Sequence, residues 1–163
     1  MKALDPAASQ FIEQVGLIWE SDGFPRGAGR LLGLLLITPG EASLDDLAAQ
    51  LGLTKPAVSV NARLLEQRGI IERVGHPADR RDYYRAASDL LQCTMEQRLQ
   101  RWRRFHEAVA GARRTLGIKD PAVAERLDTL DLAYQHVFEV LTTAMEQWQQ
   151  RKSSRKRTAA GRA

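Results

Sequence analysis

Seven cationic side chains lie between residues 55 and 85, and they have the chemistry needed to hold phosphate groups or the edges of bases. They are Lys55, Arg63, Arg68, Arg73, Arg80, Arg81 and Arg85. A guanidinium presents several N–H donors in one plane, so it can bind a phosphate or a guanine edge through two hydrogen bonds. These groups can act together only if the local structure places them on one surface.

Two short helices joined by a tight turn are predicted around the first of these cations. Ser43 is a good N-cap, acidic residues follow it, and Gly52 ends the first helix because glycine tolerates a positive φ. Thr54 can cap the second helix, and Gly69 closes it. The inward face of the second helix is predicted to carry Val58, Ala62 and Leu65. This arrangement is the one that lays a second helix in the major groove of DNA.

A β-ribbon is predicted directly after the second helix. Residues 70–74 and 83–85 are β-prone, and residues 75–82 between them have the glycine, proline and aspartate chemistry of a loop. Residues 41–43 are predicted to add a short third strand to this sheet. Two helices followed by a ribbon with a basic tip are typical of a winged helix-turn-helix.

Two neighbouring arginines lie at the predicted tip of the ribbon. Arg80 and Arg81 can each reach phosphates or enter a narrow minor groove, where the potential favours arginine. Asp79 or Asp82 can brace whichever of the two inserts. The sequence does not choose between them.

Ten residues are predicted to contact DNA: Thr54, Lys55, Pro56, Ser59, Val60, Asn61, Arg63, Arg73, Arg80 and Arg81. Arg63 is the best candidate for a bidentate guanine contact, Ser59 for a base or phosphate contact and Val60 for a thymine methyl. Asn61 lies on the flank of the helix, where it can hold the wing or a phosphate. The competing interpretation of Arg63 is an ion pair with Glu66 or with the neighbours of Gln67.

These segments resemble the MarR-type winged-helix transcriptional regulators, and specifically their GbsR-like branch. The resemblance is carried by residues 54–65, 69–74 and 80–84, and upstream by residues 23–26 and 29–35. It implies a dimer with one recognition helix in each subunit, and often a small-molecule effector. The sequence departs from the expected pattern at residues 56–57, where the family suggests a smaller or more polar start to the recognition helix.

The predicted fold class is mainly α: a winged helix-turn-helix with a small β-ribbon wing and long flanking dimerisation helices. Residues 1–40 are assigned to N-terminal helices that dimerise and lead into the winged helix, 41–87 to the DNA-binding core and 88–150 to C-terminal dimerisation helices. The last helix carries a coiled-coil-type seam, which is Val123, Leu127, Leu130, Tyr134, Val137, Leu141, Ala144 and Trp148. Since so small a domain cannot cover this seam, we expect a homodimer and a palindromic operator.

The net charge of +4 comes from the end of the chain. Six of the 24 lysines and arginines lie in residues 151–163, so residues 1–150 carry 18 positive against 20 negative side chains, a balance of −2. Affinity for DNA must therefore come from locally placed charge. Residues 151–163 are predicted to be a disordered basic tail, which either adds salt-dependent phosphate contacts or only keeps the protein soluble.

Four aromatic residues are candidates for an effector site: Trp102, Phe105, Tyr134 and Phe138. The resemblance suggests a quaternary ammonium such as choline, held between the wing domain and the dimer helices. Two observations oppose this. Aromatic residues at helical spacing are more often plain core, and the four arginines between residues 98 and 104 would suit an anion better.

No catalytic, cofactor or metal site is predicted. His76, His106, His136 and Cys93, which is the single cysteine, have no ligand spacing, and neither a phosphate-binding glycine loop nor a nucleophile elbow is present. The sequence therefore does not indicate an enzyme.

A lone cysteine and the lack of a signal-like apolar start indicate a cytoplasmic protein without a membrane partner. The alternative function is a winged-helix protein-interaction module in which the basic tail is incidental.

Overall fold

The computed structural model describes residues 4–160 except Ala78, with side chains as far as Ser154. In chain order the elements are α1 (Pro6–Ser21), α2 (Arg26–Ile37), β1 (Ala42–Ser43), α3 (Leu44–Leu51), α4 (Lys55–Glu66), β2 (Ile71–His76), β3 (Asp79–Ala86), α5 (Leu90–Thr115) and α6 (Pro121–Ala160). They form two compact units, the first ending at Thr94 and the second beginning at Met95. The predicted N-terminal segment 1–40 therefore belongs to the same unit as the winged helix.

Helices α1 and α2 approach each other closely through glycines. A Cβ on Gly29 would lie 2.7 Å from the Cβ of Trp19 and 2.8 Å from the Cα of Gly16. A Cβ on Gly33 would lie 3.1 Å from the Cα of Ile12. Tight packing thus offsets the low helix propensity that the glycines give α2.

The helix-turn-helix has the predicted caps. The Oγ of Ser43 accepts from the amide of Asp46 at 3.1 Å, and Gly52 adopts the left-handed conformation with φ 63° after α3. Thr54 caps α4 by accepting from the amide of Ala57 at 3.4 Å. The core of the first unit includes the fully buried side chains Leu31, Leu34, Leu47, Val58, Leu65, Ile70 and Ile71. Apolar burial therefore fixes α4 against α2 and the sheet.

The three strands form an antiparallel sheet in the order β1-β3-β2, so the predicted third strand is confirmed. The predicted loop at 75–82 is wrong, because β2 extends to His76 and β3 begins at Asp79. A bulge between Val74 and His76 allows the ladder to continue towards the tip. Arg80 and Arg81 consequently lie on β3 beside the turn.

The second unit contains most of α5 together with α6. Leu99 and Val109 are its buried apolar residues, and polar contacts join the two helices. Arg113 Nε donates to Asp128 Oδ1 at 2.8 Å, and this contact lowers the pKa of the Asp128 carboxyl. His106 Nε2 lies 2.6 Å from Asp131 Oδ1.

The disordered tail predicted from Arg151 is wrong for residues 151–160, which continue α6 to Ala160. Residues 161–163 lie outside the described part of the chain. Neither proline nor glycine interrupts α6 after Pro121, and lysine and arginine propagate an existing helix well. Cations also interact favourably with the carboxyl end of a helix.

Candidate nucleic-acid interface

Helix α4 presents one exposed polar face opposite its buried one. Val58, Ala62 and Leu65 are buried as predicted. The exposed positions are Pro56, Val60, Arg63 and Gln67, and Ser59 is half-buried beside them. Val60 is 63% exposed, so its methyl groups are accessible on this face. The recognition-helix geometry is therefore present in the folded unit.

Arg63 is held along α4 by a neighbour on the same face. Its Nη2 donates to the Oγ of Ser59, one turn earlier, at 3.1 Å. Glu66, the competing partner, forms no ion pair with Arg63 in the described residues. The guanidinium of Arg63 lies at the centre of the exposed face, without an ion-pair partner among the described residues.

Two predicted contacts at the start of α4 already have partners within the protein. Lys55 Nζ lies 2.9 Å from Asp45 Oδ1 on α3, and both side chains are exposed. Thr54 uses its hydroxyl as the helix cap. A phosphate at this end of α4 would have to compete with Asp45 for the ammonium group.

Arg81 on the wing is braced by Asp79. Its Nε lies 2.9 Å from Asp79 Oδ2, and its backbone amide donates to Asp79 Oδ1 at 3.0 Å. Tyr83 donates its hydroxyl proton to Asp79 Oδ2 at 2.8 Å, and its ring centroid lies 5.3 Å from Arg81 Cζ. The hydrogen bonds from Arg81 hold the pKa of the Asp79 carboxyl well below its usual range. The Asp79 carboxylate therefore stays ionised in the pH range where aspartate side chains ordinarily titrate, and above it. The brace is lost only as the pH falls through the lowered pKa.

The remaining wing cations fall into paired and unpaired groups. Arg73 forms an ion pair with Asp82 across β2 and β3, which raises the pKa of its guanidinium. Arg85 donates from Nε to Glu72 Oε2 at 2.8 Å. Arg80 is exposed and has no ion-pair partner in the part of the chain that the structure describes.

Known proteins share this arrangement. Residues 22–82 match the model of the MarR family. The chain is 32% identical over 148 residues to the HTH-type transcriptional regulator MmpR5 of Mycobacterium tuberculosis (strain ATCC 25618 / H37Rv), covering 90% of each protein. A crystal structure of a transcriptional regulator aligns with a TM-score of 0.75 at 32% identity, covering 89% of this chain and 99% of that one.

The chain belongs to the MarR family. It is a DNA-binding transcriptional regulator of a family whose members act as dimers and are generally not enzymes. The winged-helix fold predicted from the sequence is thereby confirmed.

Two polar residues of this MarR-family protein, one on α4 and one just after it, contact other parts of the first unit. Asn61 donates from Nδ2 to the carbonyl of Ala57 at 2.9 Å, and a Cβ on Gly27 would lie 2.7 Å from the same nitrogen. Asn61 thus packs against α2. The guanidinium of Arg68 lies 4.6 Å from the ring centroid of Phe24.

Three of the four predicted effector-site aromatics come together in the MarR-family protein's second unit. The ring centroids of Phe105 and Tyr134 are 5.5 Å apart, and those of Tyr134 and Phe138 are 6.1 Å apart. His106 joins them, 5.7 Å from Phe138. Trp102 makes no ring contact with described residues. The rings pack on one another without forming a buried core, because Phe105 is 50% exposed and Tyr134 and Phe138 are half-buried.

Two long-range contacts of this MarR regulator were not predicted from the sequence. His76 Nε2 is hydrogen-bonded to Glu41 Oε1, although 35 positions separate the two residues. Arg30 donates from Nη2 to the carbonyl of Leu51 at 2.9 Å, joining α2 to the end of α3. No local pattern could have indicated either pair, because only the fold brings the partners together.

The described residues contain no group of three or more His, Cys, Asp and Glu side chains that could hold a metal ion. Within the same part of the chain, no helix combines the length and apolar character needed to cross a bilayer.

Proposed function

We propose that this MarR-family regulator is a homodimeric repressor that reads a palindromic operator, with α4 in the major groove and the wing in the minor groove. The observation that carries the proposal is the exposed face of α4. There Arg63 carries an unpaired charge between Val60 and Gln67, with Ser59 orienting its guanidinium. An arginine so placed suits the O6 and N7 acceptors of guanine.

Apolar surface on the helices supports the dimer. The predicted seam of α6 is half-buried as far as Leu141, whereas Ala144 and Trp148 are exposed. Leu132 is 69% exposed and Val140 is 52% exposed on the same helix. A second copy would remove this surface from water, and its two-fold axis would place two α4 helices on half-sites about one turn of DNA apart.

The operator can be found directly. Fragments of the source organism's genomic DNA, including the region around the protein's own gene, are incubated with the protein, and the bound fragments are sequenced. We expect an inverted repeat upstream of a regulated gene. Recovery of fragments without a shared sequence would contradict specific recognition. A transcription assay on the recovered promoter then distinguishes repression from activation.

On the wing, we propose that Arg81 enters the minor groove and that Arg80 binds a phosphate. Asp79 fixes two nitrogens of Arg81 and leaves Nη1 available, so little side-chain freedom is lost on insertion. Arg80 is also exposed but, unlike Arg81, it has no ion-pair partner among the described residues. A mobile cation of that kind suits the phosphate backbone.

The two arginines should differ in the kind of binding they lose. We expect Arg80→Ala to weaken operator and random DNA equally and to reduce the slope of log K against log salt by about one. Arg81→Ala should weaken binding mainly at sites with a narrow, A/T-rich minor groove beside the half-site. Salt titrations on operators with A/T-rich and G/C-rich flanks measure both effects. Interchanged behaviour would assign the groove to Arg80.

Three finer assignments belong to the same proposal. The likeness of residues 23–26 and 29–35 to the GbsR-like branch supports placing the protein there. A small-molecule effector is proposed with it, and isothermal titration with choline and with an aromatic carboxylate tests the cationic and anionic classes. As a regulator of chromosomal genes, the protein would act in the cytoplasm.

A further inference from the structure

A set of side chains on the solvent face of the sheet links the start of the helix-turn-helix to the wing. Along β3, Asp79, Arg81 and Tyr83 alternate, so all three lie on one face. Tyr83 pairs in register with Ser43 of β1 on one side and with Val74 of β2 on the other. It therefore occupies the middle of the three-stranded sheet.

Glu41 and His76 meet across this central strand. Glu41 lies just before β1, whereas His76 ends β2 at the opposite edge of the sheet. Their side chains are hydrogen-bonded, through Oε1 of the carboxylate and Nε2 of the ring. The imidazole ring stands edge-on to Tyr83, with centroids 4.6 Å apart and an interplanar angle of 84°.

From Tyr83 the contacts continue to the wing arginine. Its hydroxyl donates to Asp79 Oδ2 at 2.8 Å, and Asp79 in turn holds the Nε of Arg81. Arg81 also lies over the Tyr83 ring, 5.3 Å from its centroid. The Arg81 guanidinium thus lies against a side chain, Tyr83, that His76 contacts edge-on, and Glu41 holds the His76 ring through their hydrogen bond.

We propose that Glu41 and His76 are positioning residues for Arg81, forming a clamp on Tyr83 that fixes the wing arginine relative to the helix-turn-helix. Glu41 is two residues before Ser43, which caps α3, so the clamp joins the wing to the first helix of the motif. The inference rests on the proposed function, in which Arg81 inserts into the minor groove. A fixed guanidinium loses less conformational entropy on binding than a mobile one.

The experiment is a set of double-mutant cycles on the full chain. Glu41→Gln and His76→Gln are made with Arg81 present and in an Arg81→Ala background, and affinity is measured for the operator with A/T-rich flanks. Glu72→Gln is the matched control, because Glu72 lies on β2 of the same sheet but pairs with Arg85 and does not contact the clamp. Thermal unfolding of each variant reports whether the fold is intact.

We expect Glu41→Gln and His76→Gln each to weaken operator binding by about 2- to 10-fold when Arg81 is present. In the Arg81→Ala background the same substitutions should have no effect, since a clamp without its arginine positions nothing. Glu72→Gln removes the same charge and releases Arg85, so any change in binding that it causes should be the same in both backgrounds.

Contrary results separate the two proposals. If the clamp substitutions weaken binding equally with and without Arg81, they act through the sheet as a whole and the clamp is overturned. It is also overturned if they have no effect while Arg81→Ala does. If Arg81→Ala itself leaves operator binding unchanged, the proposed role of Arg81 fails, and the clamp fails with it.

Discussion

Replacing Arg63 by alanine should abolish most of the discrimination between operator and random DNA. A bidentate arginine–guanine contact contributes about 1–3 kcal/mol, which is roughly 5- to 150-fold in affinity for each half-site. Because a dimer uses two copies of α4, the loss at a full palindrome should be larger than at a half-site. Competition binding of operator against random duplex at fixed salt measures the ratio directly.

A matched control removes the same charge from a different place. Arg126 is an exposed arginine on α6, so Arg126→Ala lowers the net charge equally without altering α4. We expect it to leave the specificity ratio unchanged. If Arg63→Ala weakens operator and random DNA by the same factor, Arg63 binds a phosphate and does not read a base. Ser59→Ala should reduce the specificity ratio less than Arg63→Ala does, because it removes only the group that orients the guanidinium.

Replacing Gly29 by alanine should give the largest loss of stability. The new Cβ would lie 2.8 Å from both the Cα of Gly16 and the carbonyl oxygen of Val15, which are backbone atoms that cannot rotate away. Helices α1 and α2 must then separate, and the core residues of α2 lose contact with their neighbours. We expect destabilisation of about 2–3 kcal/mol and a fall in melting temperature of about 5–10 °C.

Gly111→Ala is the control for this substitution. Gly111 lies inside α5, and among the described residues no atom beyond its chain neighbours and the local helix backbone lies within 4 Å of the position its Cβ would take. Alanine should stabilise that helix by about 0.5–1 kcal/mol, because it has the higher helix propensity. Calorimetric scans of both variants and of the native protein measure the melting temperatures to be compared. Equal melting temperatures for Gly29→Ala and the native protein would show that the two helices are not tightly packed.

Much of the first unit follows from local sequence. Ser43, Gly52 and Thr54 act as caps because their side chains or backbone freedom satisfy helix ends within a few residues. The burial of Val58, Ala62 and Leu65 follows from the helical period alone. Such signals are short-range, so they can be read without knowing the fold.

The wing and the end of α6 show where short-range patterns are insufficient. Glycine, proline and aspartate predicted a loop over residues 75–82, but pairing between β2 and β3 extends both strands past them. The basic stretch after Gln150 resembles a disordered tail when taken alone, yet it follows a helix that supplies the costly nucleus. In both cases a neighbouring element supplies the stabilisation that the segment lacks.

The helix-turn-helix, the basic wing and the long apolar-faced helices can be predicted from the sequence, because each depends on caps, periodicity or turn residues close together in the chain. The pairing of the cations is seen only in the folded structure. It places Asp79 on Arg81 and Asp82 on Arg73, and it turns Asn61 towards Gly27. The Arg73 pair depends on strand register and the position of Asn61 on helix packing, which bring together side chains that the sequence keeps apart, whereas Asp79 and Arg81 are two residues apart on one strand.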